Sequence, residues 1–253
     1  MTNKLKYFIG NWKMFGSFGS LRIIHQIQRF CSRFKKYSKK NKIVLCVPNT
    51  LISFFTSKVN LKVISIGAQN CHQNKNYGPF TGSVSAAMLK NAGAKYVILG
   101  HSENRSEGDT NLIIKKKIES ALNQKLNIIF CIGETLKEKN LGKTFSVIRN
   151  QIKGSIDKKY NLNKIIIAYE PIWSIGTGKI PRTNELKKTF IFIKHEIKKN
   201  FKTNKFPVVL YGGSVNSSNI KIFSSVEEID GFLIGGASQS SKKFIDIIKN
   251  YYK

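Results

Sequence analysis

Eight short apolar runs alternate with helix-like segments along this chain, and that alternation limits its fold more than any other feature. The runs lie near Tyr7–Asn11, Ile43–Pro48, Lys62–Ala68, Tyr96–Gly100, Ile128–Ile132, Ile165–Glu170, Val208–Gly212 and Gly231–Ile234. Apolar spacing predicts helices over Leu21–Tyr37, Leu51–Ser57, Val84–Asn91, Thr110–Gln124, Lys143–Lys159, Thr183–Phe201, Ser217–Ser224 and Lys242–Tyr251. Short apolar runs bounded by turn residues read as buried strands. Strands separated by helix-length segments read as βα units on a parallel sheet. Eight such units close a barrel, and 253 residues is the size one barrel needs. The expected fold is α/β: a (β/α)8 barrel of eight parallel strands ringed by helices, one domain over residues 1–253. A doubly wound open sheet is the competing architecture. No composition break or low-complexity linker divides the chain.

Polar residues gather where these strands end. Strand one ends Gly10-Asn11-Trp12-Lys13, strand four Gly100-His101-Ser102-Glu103 and strand five Cys131-Ile132-Gly133-Glu134. Strand six ends Tyr169-Glu170-Pro171, strand seven Tyr211-Gly212-Gly213-Ser214 and strand eight Ile234-Gly235-Gly236-Ala237. In a parallel barrel that rim carries the active site. The stretch after strand six is the richest. An apolar run ends on one carboxylate, Glu170, and Pro171 stops the strand. One bulky aromatic follows, Trp173, and then Gly176 and Gly178, whose backbones are free to hinge. This reads as a strand-end base with a lid, of use where chemistry must be hidden from water. The same residues also suit an ordinary strand-to-helix loop with a surface glutamate. Trp173 fits either a residue packed on its own loop or one gating the substrate.

Each neighbour has a plain alternative. Lys13 is one of many lysines, yet just past a strand end it is suited to hold an anion, with Asn11 beside it; turn or cap roles are the usual fate of Asn. His101 at a strand end is suited to donate to a carbonyl oxygen; most lone histidines are structural. Glu103 is a supporting carboxylate or a surface ion-pair partner. The pairs Gly212-Gly213, before Ser214, and Gly235-Gly236 let backbone N–H groups approach a phosphate, which barrels often bind after strands seven and eight.

Charge and cysteine usage narrow the classes. There are 43 Lys and Arg against 14 Asp and Glu, a net charge of +29. The lysines are spread along the chain with no run longer than three, so a compositional bias is favoured over a nucleic-acid face. Such a charge also suits steering of a small anion. Cys31, Cys46, Cys71 and Cys131 form no C-x-x-C pair, which fits a reducing, intracellular setting. No apolar run reaches 18 residues, and strand-like sequence by Tyr7 leaves no room for a signal peptide. No G-x-S-x-G, P-loop or G-x-G-x-x-G occurs, so neither triad hydrolysis nor nucleotide chemistry is indicated.

Taken together, seven stretches carry a resemblance. They are Gly10-Asn11-Trp12-Lys13-Met14, Phe80-Thr81-Gly82, Ile98-Leu99-Gly100-His101-Ser102-Glu103, Cys131-Ile132-Gly133-Glu134, Ala168-Tyr169-Glu170-Pro171-Ile172-Trp173-Ser174-Ile175-Gly176-Thr177-Gly178, Leu210-Tyr211-Gly212-Gly213-Ser214-Val215 and Ile234-Gly235-Gly236-Ala237. In order and spacing the chain resembles triosephosphate isomerase from end to end. The resemblance implies a TIM barrel and a glycolytic and gluconeogenic enzyme of the cytoplasm. That enzyme interconverts dihydroxyacetone phosphate and D-glyceraldehyde 3-phosphate with no cofactor. By the same resemblance Glu170 carries the proton, His101 polarises the carbonyl, and Lys13 and Asn11 stabilise the oxyanion. Gly176, Ser214, Gly235 and Gly236 hold phosphate. The segment from Pro171 through Trp173 to Thr177 is the lid, and Glu103 and Cys131 stand behind the catalytic groups. A homodimer is implied, with Thr81 on a loop reaching the partner's site; neither a membrane nor a nucleic acid is an expected partner. One linked departure stands out. Family members commonly carry a glutamate and an arginine, paired across that interface, where this chain has Ser83 and Asn104. Losing both avoids stranding one buried charge.

Overall fold

The computed structural model describes residues 5–34, 39–201 and 207–253. Its strands are β1 (Lys6–Asn11), β2 (Asn41–Cys46), β3 (Ser65–Ala68), β4 (Tyr96–Leu99), β5 (Asn127–Ile132), β6 (Ile165–Tyr169), β7 (Val209–Tyr211) and β8 (Gly231–Ile234). They pair in chain order, all parallel, and β8 returns to β1 to close the barrel. The open-sheet alternative is thereby excluded.

Successive side chains leave a strand on opposite faces, so each strand feeds two cores. Inward residues such as Ile9, Val44, Ile98, Ile129, Ala168 and Leu210 fill the barrel. Outward residues such as Phe8, Leu45, Val97, Phe130, Ile167 and Phe232 meet the helices. The helices are α1 (Leu21–Arg33), α2 (Asn49–Lys58), α3 (Ala86–Asn91), α4 (Ser102–Ser106), α5 (Asn111–Asn123), α6 (Leu136–Asn140), α7 (Thr144–Ser155), α8 (Thr183–Phe201) and α9 (Ser241–Tyr251). Their buried positions recur at helical spacing: Ile114, Ile118 and Ala121 on α5, and Leu186, Phe190, Ile193 and Ile197 on α8. Each large apolar side chain so buried contributes roughly 1.5–3 kcal/mol. Side-chain caps fix several starts: the Thr110 hydroxyl accepts from Ile113 N, and Thr135 and Glu138 form a reciprocal capping box. Among the described residues no helix is long and apolar enough to cross a membrane.

The structure departs from the sequence expectation in five places. The third strand begins at Ser65, because Asn60 accepts from the N–H groups of Lys62 and Val63 and turns that segment. The segment expected as a helix over 217–224 is a 3-10 stretch, Ile220–Ser225. The Asn216 side chain accepts from Ser218 N and Asn219 N, which holds the preceding residues in a turn. The helix expected to reach Lys159 ends at Ser155, where Ile156 turns extended. Helices α4 and α6 were not expected; each has five residues, too few for a periodic pattern. The first helix stops at Arg33, and positions 35–37 of its expected span lie outside the described residues.

Candidate active site

The inward series continues past the last apolar residue of each strand. On β1 it steps from Ile9 to Asn11, and on β6 from Ala168 to Glu170. On β4, β5, β7 and β8 the same step, from Ile98, Cys131, Leu210 and Leu233, lands on Gly100, Gly133, Gly212 and Gly235. The floor of the site is therefore one amide and one carboxylate in a ring of glycines. Two of these glycines are required by close approach. A Cβ at position 133 would lie 1.9 Å from the Glu170 carbonyl oxygen, and one at 212 would lie 2.5 Å from Glu170 Cγ. Gly212→Ala is accordingly expected to displace the Glu170 side chain. The variant should lose about 10²-fold in kcat, as expected for a displacement near 1 Å, and roughly 1–3 kcal/mol of stability from overpacking. Steady-state kinetics and thermal melts of the purified variant check both.

Above this floor lies a cavity of about 250 Å³ lined by Asn11, Lys13, His101, Glu170, Gly176, Ser214, Gly235 and Gly236 among others. Eight residues singled out from the sequence thus converge on one cavity, from five separate strand ends. Glu170 is buried, and its Oε2 has no hydrogen-bond partner among the described residues. Burial pushes its carboxyl above the usual value of 4.5, opposed by nearby His101, Cys131 and Lys13 and assisted by Glu103. His101 Nε2 stands 3.7 Å from Glu170 Oε1. His101 Nδ1 accepts the Glu103 N–H at 3.2 Å, capping α4. A nitrogen that accepts carries no proton, so this bond assigns the proton to Nε2, on the side of Glu170.

Lys13 has a left-handed backbone, φ 55°, which only a supported non-glycine residue holds. The supports are local and distant. Asn11 Oδ1 accepts the Lys13 N–H at 3.1 Å, Gln69 Nε2 donates to the Lys13 carbonyl at 3.0 Å, and Gln239 Nε2 donates to the Trp12 carbonyl at 2.8 Å. The two glutamines were missed from sequence; their only signal is a polar residue just past a strand or turn end. Lys13 Nζ pairs with the exposed Glu103 carboxylate, an ion pair of little strength that a ligand can displace.

Pro171 opens the segment expected as a lid, whose Ile172–Ser174 turn is 3-10. Trp173 turns away from the cavity. Its Nε1 donates to buried Glu134 at 3.0 Å, and Lys139 Nζ sits 3.8 Å from its ring centre. Glu134 also accepts from Tyr169 OH, at 3.1 and 3.2 Å. Burial pushes its carboxyl up against those stabilising bonds. In this conformation Trp173 thus anchors its segment on the side away from the cavity. Thr177 Oγ1 donates to the Trp173 carbonyl at 3.1 Å and stiffens the segment. Behind Glu170, Arg105 ties two strand ends together: Nε donates to the Gly100 carbonyl at 2.8 Å and Nη2 to the Cys131 carbonyl at 3.4 Å. All four cysteines are free and buried, and burial pushes the Cys31 and Cys71 thiols up to about 12. Thr81 lies on an exposed loop and does not line this cavity; Ser83 and Asn104 also lie outside it.

Known proteins resemble this chain over nearly its whole length. The family model described as "Triosephosphate isomerase" matches residues 6–251. The chain is 37% identical to triosephosphate isomerase of Bartonella henselae over 256 residues, covering all of both chains. It is 39% identical to that of Dictyoglomus thermophilum, over 97% of this chain and 99% of the relative. The crystal structure of the Bartonella henselae enzyme superposes with a TM-score of 0.88 at 36% identity, over 98% of this chain and 99% of that one. The chain belongs to the triosephosphate isomerase family, isomerases that interconvert dihydroxyacetone phosphate and D-glyceraldehyde 3-phosphate.

Proposed function

We propose that Glu170 is the base of this isomerisation. It takes the proton from the carbon beside the substrate carbonyl and returns it to the neighbouring carbon. The observation that carries this is a buried carboxylate oxygen without a hydrogen-bond partner among the described residues, at the floor of the cavity and near His101. A base is best matched when its proton affinity approaches the working pH, and burial moves Glu170 in that direction. The acid limb of kcat/KM then falls above pH 4.5. The His101 Nε2–H donates to the carbonyl oxygen and moves protons between the two oxygens of the enediolate. Lys13 places a fixed charge beside that oxygen, with the Asn11 amide next to it. Backbone N–H groups at Gly176, Ser214, Gly235 and Gly236 receive the phosphate. The segment from Pro171 to Thr177 closes over the enediolate and excludes water, which suppresses loss of phosphate. Glu103 fixes the His101 tautomer through its backbone and shares Lys13, and Cys131 packs behind Glu170.

A coupled assay with D-glyceraldehyde 3-phosphate tests the assignment. Wild type turns over, and Glu170→Asp, whose carboxylate is withdrawn by one methylene, is expected to turn over far more slowly. Equal rates would assign the base elsewhere.

The enzyme is further read as one barrel domain acting in the cytoplasm as a homodimer. Met14, Phe15 and Phe18 after β1, and Tyr77 and Phe80 after β3 and before Thr81, are exposed apolar residues. Ser83 and Asn104 then meet as a polar pair in place of an ionic one, with Thr81 reaching towards the partner's Asn11 and Lys13. Sedimentation at micromolar concentration is expected to give a dimer; a fully active monomer would contradict it.

A further inference from the structure

One lid residue has a hydroxyl that the mechanism above does not use. Ser174 is fully buried at the end of the 3-10 turn in the lid. Its Oγ donates to the Lys179 carbonyl at 2.6 Å. With the only proton committed there, the remaining neighbours must donate: Tyr211 OH at 3.0 Å and the backbone N–H of Ser214 at 3.2 Å. One hydroxyl therefore ties the middle of the lid to Lys179, just past its end, and fastens it to the loop after β7. Its hydrogen-bonding capacity is full.

The third bond has a consequence for ligand binding. Ser214 lines the cavity, but its N–H is spent on Ser174, which lies outside the cavity lining. A phosphate oxygen that takes this N–H must displace the Ser174 hydroxyl. The exchange is favourable, because a hydrogen bond to an anion is roughly twice as strong as one to a neutral acceptor. The loss then falls on the lid, which gives up a tie to the loop after β7.

We propose that Ser174 is a positioning residue that latches the lid by occupying the Ser214 N–H, and that the substrate's phosphate releases the latch by competing for that donor. The inference rests on the reading of Ser214 as a phosphate contact. It adds that phosphate binding and lid movement are coupled through one shared proton donor. Binding is weakened by the population in which the donor is already taken.

Inorganic phosphate, as a competitive inhibitor, tests the latch. Ser174→Ala removes the competing acceptor, so its inhibition constant for phosphate should fall about fivefold, the worth of one net hydrogen bond. KM for D-glyceraldehyde 3-phosphate should fall with it, without a rise in kcat. Ser174→Thr keeps the acceptor and should stay within about twofold of wild type. A merely structural role predicts the opposite sign, since a loosened loop after β7 binds phosphate more weakly. An unchanged or raised inhibition constant in Ser174→Ala overturns the latch. Because a buried substitution can impair folding, a crystal structure of the wild-type protein with phosphate gives an independent answer. The latch predicts Ser214 N bonded to phosphate and parted from Ser174 Oγ. Phosphate in the cavity with the Ser214–Ser174 bond intact overturns the latch alone. Phosphate bound away from Ser214 overturns the latch and the phosphate-site reading together.

Discussion

Glu170→Gln is expected to lower kcat by about 10³–10⁴-fold while leaving KM within a few-fold of wild type, because it removes proton transfer and keeps the shape of the side chain. The same substitution should stabilise the ligand-free protein at neutral pH. The folded-state carboxyl of Glu170 titrates above 4.5, chiefly through burial. A raised folded value means that the folded protein holds the proton more tightly than the unfolded chain does. That contribution is complete below 4.5 and is lost as pH rises through the folded value. Glutamine has no charge to bury, so the variant escapes the loss. Melting curves should coincide below pH 4.5, separate as pH rises and run parallel above the folded value, with the variant higher. Equal melting temperatures at neutral pH would show that the site stabilises the carboxylate, contrary to its burial. On the role proposed for Glu170, the wild-type chain would then carry a destabilising group where the chemistry uses it.

His101 is the second large effect, and two variants separate its two jobs. Its Nδ1 caps α4 by accepting from Glu103 N, and its Nε2 faces Glu170. His101→Ala loses both, and should lower kcat about 10²–10³-fold and cost about 1 kcal/mol of stability through the lost cap. His101→Asn retains a capping oxygen but cannot place a donor where Nε2 stands. It should keep most of the stability and still lose the rate. A rate near wild type in His101→Asn would mean that the cap, and not the proton on Nε2, is what catalysis needs.

The barrel was legible because its constraint is periodic. Eight apolar runs at strand length, separated by helix-length amphipathic segments, leave few topologies, and a short parallel strand must be buried on both faces. Asn11, His101 and Glu170 were legible because they are polar where an apolar run stops. The ring of glycines was legible in principle, since it continues the two-residue step of the interior from Ile98, Cys131, Leu210 and Leu233. What stayed hidden depends on chain-distant contacts. Nothing local to Gln239 announces that it supports the Trp12 carbonyl, 227 positions away, or that Gln69 supports Lys13. The direction of Trp173 is decided by Glu134 and Lys139 on the preceding unit of the barrel. The role of Ser174 depends on Tyr211 and Ser214, brought beside it only when β6 and β7 pair. The expected third strand was too long at its start because Asn60 offered the backbone a turn that apolar pattern does not register.

On the proposed mechanism one carboxylate, Glu170, carries the proton between the two carbons of the substrate. A base that exchanges with solvent while it holds that proton leaves a record in the product. The direct measurement is conversion of dihydroxyacetone phosphate in D2O by wild type and by Glu170→Gln, with deuterium at the C2 carbon of D-glyceraldehyde 3-phosphate read by NMR. The wild-type enzyme should deposit deuterium at C2, and the variant should deposit essentially none over the same time. Deuterium entering at the wild-type rate in Glu170→Gln would contradict the account, because another group would then be carrying the proton.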